Sequence, residues 1–599
     1  MRKKLISLFV FLGVIVRVFA FPSGEVMPLN QIKPGMKGKG KTVFSGTQVA
    51  EFDVNILGVL ENVQPRRSII LAELSGQGLE ATGVVSGMSG SPVYIDGKII
   101  GAVAYSFPFS RKAVAGITPI GEMLEEAEKK AGSRPAGSQP LSFKPSLSFE
   151  ELVELNPLLF PSLQTPLAGS EFERLQVPLV FNGFSPLLIQ KNRSLFLKMG
   201  FIPVASGAST AGGELQAQVR SQLKEGDPVA IQLINGDLNL SAIGTVTYVD
   251  GNRVLAFGHP LYNLGAVDYG LAQAEVLTVV PSLETSFKLA RTGQVIGRFI
   301  QDRNTGALGE IGQLPRLIPL SLNLLDSSGK SKAFRLQIVN DKILTPLLFN
   351  LALYSVVMSE ARAYGNLTVE FNGDLYLDNG QTVRLEDLFS GNLDSSATSF
   401  SGLLAAVAYY LINNEFQEIG ITRGDLRLRI TEEAKLATLE RVWCDKYEAA
   451  PGERINLKVL YRTFRDESVM EEVNLTAPPL PPGSEFQLIV GDAASMHRVE
   501  AELYQNPQFA PRNLNQLIRL LNNLRKNNRI YFKILVPRPG LFMKGEEMGS
   551  LPVTLKTMLT SPRATSSPVA INRSTLTEYQ LPVAQAFKGL ATIPIRIKQ

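Results

Sequence analysis

The chain has 599 residues, of which 45% are hydrophobic and 19% charged, and its formal net charge is +5. That length exceeds one core, so two to four domains are expected, and the composition is that of a folded protein and excludes a disordered one. Four basic and no acidic residues lie in positions 1–20, which leaves about +1 on the rest; with no dense basic block, a nucleic-acid partner is excluded.

Residues 1–20 have the form of an export signal. Arg2, Lys3 and Lys4 are followed by the apolar run Leu5 to Val16, and Val18-Phe19-Ala20 offers small residues for cleavage. The apolar run is too short to span a bilayer, so the mature chain is expected in the periplasm or outside the cell, with no stable membrane span. The one cysteine, Cys444, rules out an internal disulfide and reads as a small buried hydrophobe beside Trp443. With His259 and His497 as the two histidines, no Cys/His metal site can be assembled, and no cofactor is indicated.

From residue 35 to 110, apolar runs alternate with Gly, Asn and Asp turns, the pattern of short antiparallel strands. Gly87-Met88-Ser89-Gly90-Ser91-Pro92 interrupts this pattern. A serine between glycines in a tight turn lets backbone N–H groups converge on one point, as an oxyanion hole requires, and leaves the hydroxyl open. Ser91 is the rival hydroxyl, but Ser89 alone has the Gly-x-Ser-Gly setting. Asp96-Gly97 predicts a two-residue hairpin. A helix is expected after Thr118 as cap and Pro119 in the first turn, ending at Gly132, with a Gly/Ser/Pro/Lys-rich linker to Ser148.

A second β-rich block runs from about Phe181 to Leu325, with turns expected at Asn235-Gly236 and Asp250-Gly251. Its strand Val254 to Phe257 delivers Gly258-His259-Pro260. Histidine is the usual base for activating a serine, and His259 is held between glycine and proline, whereas His497 has no such setting and reads as a surface residue. Further on, Leu344 to Met358 and Phe400 to Ile412 read as core helices, and 424–476 as a β-sandwich module closed by prolines at 478–482. Helical spacing at Leu514 to Leu524 precedes a strand at Arg529 to Val536. The domain map is thus 1–20 signal; 21–130 a serine-bearing β-barrel half; 131–180 linker or insert; 181–330 a histidine-bearing half; 331–423 an α+β region; 424–480 a sandwich-like module; and 481–599 an α/β accessory region. The expected fold class is mainly β.

The Gly87–Pro92 motif with Asp96-Gly97-Lys98-Ile99-Ile100-Gly101-Ala102-Val103 resembles the nucleophile segment of the SpoIVB-type serine peptidase family. Gly244 to Tyr248 with Leu255-Ala256-Phe257-Gly258-His259 resembles that family's histidine segment, and Ser286-Phe287-Lys288 to Gly309-Glu310-Ile311-Gly312 its continuation. The resemblance implies a trypsin-like double β-barrel, with Ser89 as nucleophile, His259 as general base and the N–H groups of Gly87 and Ser89 as oxyanion hole. The order is swapped, since the family places histidine first. The family's acidic member has no clean match; Glu73, Glu80 and Asp268 are the candidates. No PDZ module like the family's is legible. Met88 stands where trypsin-like zymogens carry an acidic residue that receives a freed N-terminus, so activation by that ion pair is not expected. The resulting expectation is an exported serine endopeptidase acting on cell-envelope proteins or peptides and on itself; the alternative is a peptidase-like scaffold or binding protein without hydrolytic activity.

Overall fold

A computed structural model describes residues 25–107, 109–129, 143–160, 172–206, 222–360, 365–504, 511–543, 546–560 and 568–599. The signal at 1–20, the stop at Gly132 and most of the 131–148 linker lie outside the described residues.

Residues 37–119 form six strands: β1 (Lys37–Val43), β2 (Val49–Gln64), β3 (Arg67–Ser75), β4 (Pro92–Ile95), β5 (Lys98–Ser106) and β6 (Val114–Pro119). The period-2 pattern places them: in β2, Phe52, Val54 and Ile56 point inward while Glu51, Asp53 and Asn55 point out. The pairing order β1-β2-β3-β6-β5-β4 returns to β1, which closes an antiparallel barrel; β4 covers β5 only as far as Ala102, and the end of β5 runs on beyond it as an edge. Asp96 and Gly97 both adopt positive φ, as the expected hairpin turn demands.

The segment read as a linker carries structure of its own. A helix at Phe149–Glu154 starts with a capping box between Ser148 and Glu151, and two short strands follow, β7 (Glu173–Arg174) and β8 (Val177–Asn182). β8 pairs in parallel with β9 (Phe201–Ser206). The second block then supplies β10 (Pro228–Gly236), β11 (Asn239–Asp250), β12 (Arg253–Ala256), β13 (Gly265–Val280), β14 (Phe287–Arg303) and β15 (Gly306–Ile311). Their ring, β10-β11-β12-β15-β14-β13 and back to β10, repeats the topology of the first barrel strand for strand. The β10–β11 turn lies at Asp237-Leu238, two residues beyond the expected Asn235-Gly236, because Gly236 stays in the strand at φ +115° against Arg335.

The two barrels pack face to face. The helix Ile120–Glu128 wedges between them, with Ile120, Met123 and Ala127 against Ile99, Leu255 and Leu308. Thr118 does not cap this helix; Pro119 holds the cap position, and the Thr118 hydroxyl donates instead to the carbonyl of Gly258 at 2.7 Å.

The core of the second barrel continues into the α+β region. Strands at Leu317–Leu325, Ser331–Val339, Asn366–Leu377, Thr382–Asn392 and Ile421–Thr431 extend the same sheet, and helices Leu344–Glu360 and Leu393–Ile412 pack beneath it. The second helix starts seven residues before the expected Phe400, capped by Asn392, because its first turns are polar and break the apolar pattern. Among the described residues it is the one helix long and apolar enough to cross a membrane, and 72% of that stretch is buried inside the protein.

The expected 424–480 module is corrected in extent. Residues 421–431 belong to the large sheet, and the sandwich pairs the sheet of Leu436–Cys444, Arg454–Thr463 and Ser468–Thr476 with one built mostly beyond the proline cluster. Leu457 and Val459 of the first sheet share a core with Leu488, Phe532 and Ile595 of the second. Cys444 is buried in this core, which pushes its thiol up to about 11.

Candidate active site

Ser89 lies in the loop between the third and fourth strands of the first barrel, and His259 in the loop between the third and fourth strands of the second. The repeated topology therefore places both loops at one junction. His259 Nε2 is 2.8 Å from Ser89 Oγ, and both residues are fully buried.

The serine loop is built on glycine and on the opposite barrel. Gly87 and Gly90 have φ of +96° and +95°. A Cβ on Gly90 would lie 2.1 Å from the Thr245 carbonyl, so only glycine lets this loop rest directly on β11. There Thr245 N–H donates to the Ser89 carbonyl at 2.8 Å, the Thr245 hydroxyl to the Gly87 carbonyl at 2.9 Å, and the Thr247 hydroxyl to the Gly90 carbonyl at 2.8 Å. Gly90 N–H donates to the Val103 carbonyl on β5 at 2.8 Å. Among the described residues the N–H groups of Gly87 and Ser89 have no hydrogen-bond partner, so they are free to receive a developing oxyanion.

Beneath Gly87 runs Lys288 of β14, fully buried, its stem 3.1–3.2 Å from where a Gly87 Cβ would sit. Its ammonium donates to Thr42 Oγ1 at 2.7 Å and more weakly to Thr245 Oγ1 at 3.5 Å. Burial among neutral groups lowers its pKa to about 7.

The histidine loop is fixed as firmly. Phe257 and Gly258 take positive φ to turn the chain, and His259 Nδ1 lies 2.9 Å from its neighbour's carbonyl, Pro260 O. A carbonyl can only accept, so Nδ1 carries the proton and Nε2 is left bare toward the Ser89 hydroxyl. That is the tautomer a base needs. Burial, reinforced by the Arg174 guanidinium and opposed by the Pro260 carbonyl, lowers the imidazole pKa to about 3.

None of the three expected carboxylates meets this imidazole in a hydrogen bond. Glu73 lies on β3 in an ion pair with Lys112 at 2.9 Å; Glu80 accepts from Gly76 N–H at 2.6 Å; Asp268, near the start of β13, faces Arg298 and Arg316. Asp302 at the end of β14 is the acid that the sequence reading missed. It is fully buried and accepts from the N–H groups of Leu261 and Tyr262, both at 2.7 Å, and Leu264 at 3.4 Å, so it clamps the chain just past His259. Burial raises its pKa, against the pull of those N–H groups and Arg174. The signal that could have found it is topological: Asp302 leads into the β14–β15 hairpin, which folds back beside the histidine loop. His497 is exposed on the helix Ala493–Leu503, far along the chain in the sandwich region.

Among the described residues no group of three or more His, Cys, Asp or Glu is placed to hold a metal ion. The arrangement offers a hydroxyl, a bare imidazole nitrogen to take its proton, and two unengaged N–H groups. Residues 22–124 match the family model described as SpoIVB peptidase S55, which covers the serine barrel and ends before the histidine barrel. No curated protein and no solved structure matches the chain.

Proposed function

Starting from the SpoIVB-type peptidase S55 segment at residues 22–124, we propose that the protein is an exported serine endopeptidase that cleaves cell-envelope proteins. The observation that carries this reading is the 2.8 Å contact between His259 Nε2 and Ser89 Oγ. In the proposed reaction, Ser89 Oγ attacks the scissile carbonyl as His259 takes its proton, and the Gly87 and Ser89 N–H groups hold the oxyanion. The imidazolium then protonates the leaving amine, and water releases the acyl group by the same route in reverse. Proteins and peptides are the substrates, and self-cleavage falls within the same chemistry.

The export signal at 1–20 supports a periplasmic or extracellular site of action. A second reading, a peptidase-like scaffold that hydrolyses nothing, is favoured by one feature: His259 Nδ1 faces a carbonyl, not the carboxylate that would stabilise an imidazolium.

A fluorophosphonate probe applied to the mature protein separates the two readings. Labelling that disappears in both Ser89→Ala and His259→Ala supports the peptidase. Absence of labelling in the folded protein, including variants with an opened cleft, supports the scaffold.

A further inference from the structure

The sheet edge that runs on from the serine loop is already filled by a strand of the same chain. On β5, Val103 carries the serine loop through Gly90, and the backbone positions just beyond it, Ala104 to Ser106, are the sheet edge nearest the nucleophile. An extended peptide reaching Ser89 would take its main-chain hydrogen bonds from this edge, since strand addition provides affinity regardless of sequence. The edge is occupied. Leu175 N–H donates to the Ala104 carbonyl at 2.9 Å, Arg174 pairs with Tyr105, and Glu173 pairs with Ser106, all antiparallel.

The side chains match that placement. Leu175 is buried in the apolar cluster that includes Val85 and Met88 of the serine loop and Ala115 and Ile117 of β6. Arg174 reaches the histidine loop and donates to the Leu261 carbonyl at 3.3 Å. Phe172 stacks on Tyr105 and packs at a tilt against Phe107, with ring centroids 5.2 and 4.7 Å apart. After Gln176 the chain leaves directly into β8 of the other barrel's sheet. One segment thus touches both loops of the candidate site. It borders an outer cleft of about 320 Å³ lined by Gly83, Val84, Ser106, Phe107, Arg174 and Ser286.

We propose that Glu173–Gln176 is a built-in inhibitory strand that occupies the place of the substrate. Its sequence reports the class of peptide the cleft takes: an extended chain with a leucine-sized aliphatic side chain beside Ser89. This rests on the peptidase reading of the site. The strand blocks and does not present its own bond, since the Gly87 and Ser89 N–H groups have no partner among the described residues and hold no Leu175 carbonyl. Release of the strand would also withdraw Arg174 from the imidazole. That removes a positive charge and lets water in, and both changes favour the imidazolium the reaction needs.

The test uses full-length mature protein with Ser89→Ala, so that no turnover intervenes, and a fluorescent hexapeptide of the sequence Phe172–Val177 as probe. Two variants loosen the strand. Glu173→Pro removes one edge N–H at an exposed residue, and Arg174→Ala with Leu175→Ser removes both side-chain anchors. Anisotropy should show at least tenfold tighter peptide binding to either folded variant than to the parent. A peptide with aspartate in place of the leucine should not bind. Equal binding to parent and folded variant, no binding to either, or equal binding of the aspartate peptide overturns the proposal. With Ser89 restored, fluorophosphonate labelling should rise at least tenfold in the same variants. Tighter peptide binding without any labelling keeps the strand and removes the peptidase reading. Labelling as fast in the parent as in the variants removes the strand and keeps the peptidase.

Discussion

Ser89 Oγ and His259 Nε2 stand 2.8 Å apart although 170 residues separate them, because each occupies the same loop of a repeated six-strand barrel. The two loops meet where the barrels pack, with the serine loop bonded to β11 and Thr118 bonded to the Gly258 carbonyl. A serine loop that precedes the histidine loop in the chain therefore carries no geometric penalty.

The buried imidazole makes stability fall in acid. Its folded pKa of about 3 lies below the unfolded value of 6.5, so the unfolded state binds the extra proton between those limits. Stability is fully present above pH 6.5 and is lost as the pH drops toward 3. At pH 4 the loss is roughly 3 kcal/mol. Denaturant unfolding of wild type and His259→Gln between pH 7 and pH 4 should show a slope flatter by that amount in the variant.

Lys288 gives the same sign in the alkaline range. Its folded pKa of about 7 is below the unfolded 10.5, so stability contributed by this site rises from pH 7 to 10.5. Lys288→Met keeps an unbranched stem under Gly87 and removes the buried ammonium. We expect stabilisation by roughly 3 kcal/mol at pH 7, after subtracting about 1 kcal/mol for the lost Thr42 hydrogen bond, and a gain shrinking toward zero by pH 10. Calorimetric Tm at the two pH values checks it.

Gly90→Ala should be severe. The added methyl meets the Thr245 carbonyl at 2.1 Å and the Phe257 nitrogen at 2.5 Å, in a backbone conformation of φ +95°. Backbone on both sides leaves nothing flexible to yield, and a loss of more than about 3 kcal/mol is expected. A thermal melt within a degree or two of wild type would show that the serine loop does not rest on β11.

Thr245→Val removes the hydroxyl that donates to the Gly87 carbonyl while keeping the side chain's shape. The buried carbonyl loses its partner, at a cost of about 1–3 kcal/mol, and the Gly87 turn loses its tether. In a background with the cleft opened, fluorophosphonate labelling should slow about tenfold, the equivalent of roughly 1.4 kcal/mol in the barrier. An unchanged rate in a folded variant would assign that tether to stability alone.

The site was half legible in the sequence. Ser89 and His259 stood out because glycines mark loops that must take positive φ, and such residues interrupt the strand pattern visibly. The acid did not stand out. Glu73, Glu80 and Asp268 were near in sequence, but the carboxylate that clamps the histidine loop is Asp302, on the hairpin that closes the second barrel. Its neighbours in space are backbone N–H groups, which leave no trace in residue identity. The segment 131–180 shows the same limit: composition marked its glycines and prolines, while the register of Leu175 on Ala104 depends on a sheet edge seventy residues earlier.

By itself the sequence determined the β-rich class, the hairpin turn at Asp96-Gly97 and the two loops bearing a hydroxyl and an imidazole, because alternation, glycine and turn chemistry act over a few residues. Barrel closure, the approach of His259 to Ser89, the clamp by Asp302 and the strand lying across the cleft were decided by tertiary structure. Each is a hydrogen bond or a burial between segments far apart in the chain, and its energy depends on which groups meet once water has been excluded.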